Sequence, residues 1–95
     1  NSYYDVALEE LEETIPALST VESLYDAKEL TQYLNQFMKE LSREYRYLFM
    51  RRYWHGDKIG DIAENLNIPA NKASVRLYRL RQKLQELLKK EGMIA

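Results

Sequence analysis

The stretch from Asp57 to Leu84, DKIGDIAENLNIPANKASVRLYRLRQKL, constrains the fold more than any other part of the chain. Its apolar residues Ile59, Ile62, Ala63 and Leu66 fall at helical spacing and predict a helix over Lys58 to Leu66. Asp57 stands where an N-cap carboxylate accepts a hydrogen bond from a free backbone N–H of the first turn. Asn67-Ile68-Pro69 then breaks the pattern. Pro69 has no backbone N–H and a fixed φ, which suits a helix start and not an interior. From Ala70 a second helix follows, with Ala73, Leu77, Leu80, Leu84 and Leu87 at steps of four, three, four and three. Lys72, Arg76, Arg79, Lys83 and Lys90 line a neighbouring basic stripe.

Two helices joined by a tight turn, the second with one apolar and one basic face, is the layout of a helix-turn-helix. The charge distribution agrees with it. The formal net charge is only -1, but the two halves differ strongly. Residues 1–41 hold nine acids and two bases, whereas residues 42–95 hold six acids and twelve bases. A polyanion is attracted to the second half and repelled by the first, so the averaged charge does not argue against nucleic acid as a partner.

The remaining sequence reads as helices throughout. Tyr4, Leu8, Leu11 and Ile15, backed by a Glu cluster, predict a short amphipathic helix ended by Pro16. Its simplest role is a solvated acidic helix packed on the body. Ala17 to Thr20 is a brief linker. Ser19 and Glu22 have capping-box spacing and open a longer helix reaching about Glu40, with Ala27, Leu30, Leu34, Phe37 and Leu41 as its apolar stripe. That stripe is core, with part of it suited to a groove for a partner helix. Ser42 is the next N-cap, followed by a helix from Arg43 to Trp54 with Tyr45, Leu48, Phe49 and Tyr53 on one face. Tyr47, Met50 and Trp54 fall off that stripe. His55-Gly56-Asp57 makes the next turn, and Gly92 ends the last helix after Lys90. Gly60 costs about 1 kcal/mol against Ala inside a helix. Close packing against the second helix and simple tolerance in a first turn both account for it. No segment reads as a strand. The expectation is an all-α bundle of about five helices with a C-terminal helix-turn-helix.

Several function classes find no support. There is no glycine-rich phosphate loop, and the single His has neither a Cys nor a suitable acidic cluster at ligand spacing, so no catalytic set, cofactor site or metal site is expected. With no cysteine, disulfides are excluded. No apolar run approaches the roughly 20 residues of a membrane span, and the acidic N-terminus is unlike a signal peptide. A chain that opens on Asn1 without Met reads as a piece of something longer.

From Leu41 onward the chain resembles the fourth region of bacterial RNA polymerase sigma factors, most closely the small extracytoplasmic-function type. The resemblance rests on Leu41-Ser42-Arg43-Glu44, Arg52-Tyr53 with Gly56, Asp61-Ile62-Ala63-Glu64, Asn67-Ile68-Pro69, Val75-Arg76-Leu77 and Arg79-Leu80-Arg81-Gln82-Lys83-Leu84 in that order and spacing. It extends over about Leu30 to Leu88. It implies an acidic linker over residues 1–20, a region-4 domain over 21–95, and a cytoplasmic bacterial protein. It implies further that the helix starting near Ala70 enters the major groove of the minus-35 promoter element, while other helices hold the β-flap of the RNA polymerase core.

By position, Ala70, Asn71 and Val75 fall where such domains meet base edges, and Lys72, Ser74 and Arg79 where they meet bases or nearby backbone. The chemistry of the side chains agrees for Asn71, which can pair with adenine, for Val75, which suits a thymine methyl, and for the cations. Arg76 is added as a base or phosphate contact and Lys58 as a backbone contact. Leu34, Phe37 and Leu41 are the residues expected against the flap. An anti-sigma factor is a further partner compatible with the resemblance. Pro69 stands where many such domains have a capping Ser or Thr, so that phosphate contact is missing here. Two other readings compete: a free-standing helix-turn-helix regulator of the response-regulator output type, which would dimerise on a palindrome, and a helical protein-interaction module without DNA binding.

Overall fold

A computed structural model of the protein describes residues 2–20 and 24–94, with side chains at 5–19 and 27–94. Among the described residues there are five α-helices and no strand: α1 (Ser2–Thr14), α2 (Leu24–Glu40), α3 (Arg43–Tyr53), α4 (Ile59–Leu66) and α5 (Ala70–Lys90). A 3₁₀ segment, Pro16–Thr20, follows α1. The all-α bundle expected from periodicity is what forms, because each helix has an apolar stripe that only a neighbouring helix can cover. Helix α5 is the hub. It packs on α4, α3 and α1, and α2 reaches the body through α3. Ala73, Leu77, Leu80, Leu84 and Leu88 of α5 meet Leu48, Phe49 and Tyr53 of α3 and Ile62 and Ala63 of α4 in one core. Phe49 lies at its centre, fully buried, edge-on to Phe37 at 5.7 Å and 4.8 Å from the Tyr53 ring.

Among the described residues the local signals for helix ends are realised with one exception. Ser42 caps α3, its Oγ accepting from the Tyr45 N–H at 3.3 Å. Asn67 closes α4 in the left-handed conformation (φ 57°), with its N–H on the Glu64 carbonyl and that of Ile68 on the Ala63 carbonyl, a Schellman closure. Gly92 (φ 73°) closes α5 in the same way. Asp57, however, does not cap α4. Lys58 occupies the N-cap position without a side-chain cap, and Asp57 instead accepts from Arg51 Nε at 2.6 Å. A nearby guanidinium offers the carboxylate a charge-assisted bond that an amide cannot match. The Ser19 hydroxyl donates to the Pro16 carbonyl at 2.7 Å, and the capping box expected with Glu22 lies outside the described residues. Gly60 sits in the first turn of α4 with nothing within 4 Å of where a Cβ would stand. Close packing therefore does not explain it, and it is tolerated there.

The inward faces differ from the predicted stripes by small rotations. In α1 the buried residues are Ala7 and Leu11, continued by Ile15, whereas Leu8 is 43% exposed and the Tyr4 side chain lies outside the described residues. In α5 Leu88 is fully buried and Leu87 only partly so. In α3 Tyr45 is exposed, and the buried position beside Tyr53 is taken by Arg52.

That arginine belongs to a polar knot between α1, α3 and α5. The Glu10 carboxylate accepts from Arg52 Nε at 3.2 Å and from the Tyr53 hydroxyl at 2.8 Å, and it lies 3.4 Å from Arg81 Nη1. Arg81 Nη1 donates to the Tyr53 oxygen at 2.7 Å and its Nε to Thr14 Oγ1 at 2.8 Å. Arg52 Nη1 donates to the Asp57 carbonyl at 2.9 Å, tying the knot to the turn that enters α4. The acidic N-terminal helix is thus packed on the body, as expected, but one of its glutamates is inserted and not solvated. No buried side-chain polar atom among the described residues lacks a partner.

Burial, and next the Glu10 charge, push the Tyr53 hydroxyl above its ordinary pKa. An unfolded tyrosine ionises near pH 10 while the folded Tyr53 keeps its proton, so this contribution is complete below about pH 10 and is lost above it. Melting between pH 8 and pH 11 should therefore lose more stability in the native chain than in Tyr53→Phe. Equal losses would contradict the assignment.

Candidate nucleic-acid interface

The outward face of α5 is fixed by what the inward face buries. With Ala73, Leu77, Leu80 and Leu84 against the core, the opposite side of the helix carries Asn71, Val75, Arg79 and Gln82 at one-turn intervals. All four are exposed, Val75 at 46%. Ala70, Lys72 and Ser74 are exposed around the first two turns. From Ala70 to Gln85 the helix carries no carboxylate. Pro69 supplies no side-chain cap to the N-terminus, which leaves the positive end of the helix dipole without a competing protein oxygen from that residue.

A hollow of about 410 Å³ runs along the flank of α5, lined by Lys72, Val75, Arg76, Arg79, Leu80 and Lys83 with Leu41 and Tyr45 from the far side. Among the described residues Lys72, Arg79 and Lys83 are in no ion pair. These three cations spread over three turns of one wall offer separate contacts to the phosphates of a polyanion.

Arg76 differs from the expectation that it is available for base or phosphate contact. Its side chain is 20% exposed, its Nη1 donates to Glu44 Oε1, and its guanidinium lies 5.4 Å from the centre of the Tyr45 ring. Lys58, the remaining expected contact, is exposed at the N-cap of α4. The structure thus brings Ala70, Asn71, Lys72, Ser74, Val75 and Arg79 to one helix end and holds Arg76 at its edge.

One residue on this face was not anticipated. Tyr78 is 48% exposed, one turn from Val75, with Gln82 Nε2 donating to its hydroxyl at 3.0 Å. Lys83, expected in the basic stripe but not among the DNA contacts, extends the cationic wall by a turn. The signal for Tyr78 was present in the sequence: it lies off the Ala73–Leu77–Leu80 stripe, so a large aromatic there has nothing to pack on in the core.

The expected flap residues are divided. Phe37 and Leu41 are 4% and 8% exposed and belong to the core, where the Phe49 ring and the start of α3 cover them. Phe37 presents no side chain for docking, and Leu41 reaches the surface only where it lines the hollow beside α5. Leu34, one turn earlier, is half-buried, as are Leu30 and Tyr33. The C-terminus of α2 is held by Arg46, whose guanidinium donates to the Met38, Lys39 and Leu41 carbonyls at 3.0, 3.0 and 3.1 Å.

No helix among the described residues is long and apolar enough to cross a membrane. No curated protein and no solved structure matches the chain. Residues 31–84, from the middle of α2 through Leu84 of α5, match the family described as Sigma-70, region 4. They span more than half of the chain and contain α4, the turn and α5 as far as Leu84 with its outward basic wall, and the chain belongs to the sigma-70 region 4 family.

Proposed function

We propose that this domain reads the minus-35 promoter element for a bacterial RNA polymerase sigma factor, with the N-terminal turns of α5 in the major groove. The observation that carries this reading is the outward face of α5. It is free of carboxylate for sixteen residues and sets Asn71 and Val75 beside Lys72, Arg79 and Lys83, which are in no ion pair among the described residues. Asn71 suits an adenine edge and Val75 a thymine methyl, while the three cations suit phosphates. Ala70 and Ser74 are small enough to let the helix approach, and Lys58 adds a backbone contact from α4. The domain has no catalytic role in this reading. The order and spacing of its motifs support the small extracytoplasmic-function type.

The polymerase side of the proposal is a contact between the β-flap and α2, through the accessible part of its apolar face at Leu34, with Leu30 and Tyr33 beside it. Retention of the chain on isolated β-flap tests it. The native chain should be held, and the complex should retain a minus-35 duplex over a scrambled one. Leu34→Ala should release it from the flap while the chain still melts cooperatively, the partial burial of Leu34 against the core costing about 1 kcal/mol. Failure of the native chain to bind the flap, together with dimerisation on a palindrome, would favour a free-standing regulator instead.

A further inference from the structure

Four cations of α5 line the hollow, and one of them is engaged. Lys72, Arg79 and Lys83 have no ion pair among the described residues, whereas Arg76 is bound to Glu44 and lies over Tyr45. Glu44 and Tyr45 belong to the first turn of α3, 32 residues away in sequence, so the pairing is made by the fold. The Glu44 side chain is 46% exposed. An ion pair this accessible to water is weak, and a phosphate or a guanine edge offers the guanidinium an equally good forked partner. Arg76 is therefore held in a state that a correctly placed DNA group can reverse.

We propose that Glu44 is a specificity-determining residue, which withholds Arg76 from duplexes that do not bring a phosphate or guanine edge within its reach. Non-specific binding then uses the three unpaired cations of this wall, and the fourth is added only in register. The inference rests on α5 being the DNA-reading helix. It differs from treating Arg76 as a constant contact, because it gives the carboxylate a function on a face that otherwise excludes carboxylates.

The test is the salt dependence of binding to a mixed-sequence 20-bp duplex, followed by fluorescence anisotropy with the chain as it stands. Glu44→Gln keeps the side-chain size and removes the charge. It should bind the duplex several-fold more tightly and steepen the slope of log K against log salt by about 0.9, the value of one added phosphate contact. The spread of affinities across a pool of randomised duplexes should narrow. Glu29→Gln, the same charge change on the exposed surface of α2, should leave the slope unaltered. In an Arg76→Ala background the effect of Glu44→Gln should vanish. An unchanged slope in a natively melting Glu44→Gln overturns the inference and leaves the reading of α5 in place. An effect that survives Arg76→Ala also overturns it, since Glu44 would then act by charge alone. A native chain that binds no duplex at low salt overturns both.

Discussion

Glu10→Ala should destabilise the domain by about 3 kcal/mol, although Glu10 lies outside the family match and is not on the outward face of α5. Removing one member of a buried ion pair leaves an uncompensated charge and typically costs about 3–5 kcal/mol; the lower end applies because the Glu10 side chain is 23% exposed. Arg52 and Arg81 have side chains only 8% and 9% exposed. Without Glu10, Arg52 keeps the Asp57 carbonyl, and Arg81 keeps Thr14 and the Tyr53 oxygen. Neither has another carboxylate within ion-pair distance among the described residues. For a domain of this size the loss corresponds to a fall in melting temperature of roughly 12–24 °C. Glu10→Gln retains an acceptor for Tyr53 and should fall between. Glu9→Ala and Glu13→Ala, exposed neighbours with the same charge change, should cost less than about 0.5 kcal/mol. A Glu10→Ala melting curve within 2 °C of the native one, by the same order of reasoning, would show that α1 is not fastened through this carboxylate.

The second large effect is on DNA. Replacing Lys72, Arg79 and Lys83 together by Ala should remove about three phosphate contacts, and with them about 2.7 from the slope of log K against log salt. Each contact is worth roughly a 3.5-fold change in affinity between 50 and 200 mM salt, so the triple variant should lose about fortyfold less affinity over that range than the native chain. The melting temperature should change little, because all three side chains are exposed. The loss should be nearly uniform across duplex sequences. Asn71→Ala should instead alter the preferred bases at about 1–3 kcal/mol per position and leave the slope close to native. A triple variant with the native salt slope would place the DNA contact elsewhere.

Those two effects also separate what was legible in the sequence from what was not. The helix-turn-helix could be read directly because its determinants are local: the apolar period, Pro69 before the second helix and Ser42 capping the helix before the pair. The exposure of Asn71, Val75 and Arg79 followed from the same period, since whatever is off the buried stripe must face outward.

The polar knot was not legible, because the helices it joins are brought together over 28 to 67 residues. Two signs of it were nevertheless in the sequence. Arg81 falls on the line of Leu77, Leu84 and Leu88, and Arg52 on that of Leu48 and Phe49, so each places a guanidinium at a core position. Such positions require a buried acceptor, and the acidic first helix is its natural source. Asp57 was misread as a cap for a related reason: its local amide competed with Arg51, six residues earlier, and a cation makes the stronger bond. Phe37 and Leu41 were misassigned to a docking face because a helical stripe does not state which of its turns another helix covers. Arg76 lay within the basic stripe, but its partner Glu44 came from another helix.

The most direct test of the central claim is a titration of the isotopically labelled chain with a short duplex, following backbone amide shifts residue by residue. If α5 is the DNA-reading helix, the largest shifts fall between Ala70 and Lys83, with Lys58 beside them, and diminish as salt is raised. Shifts confined to α2 around Leu30 and Leu34, or absent at low salt, would contradict it.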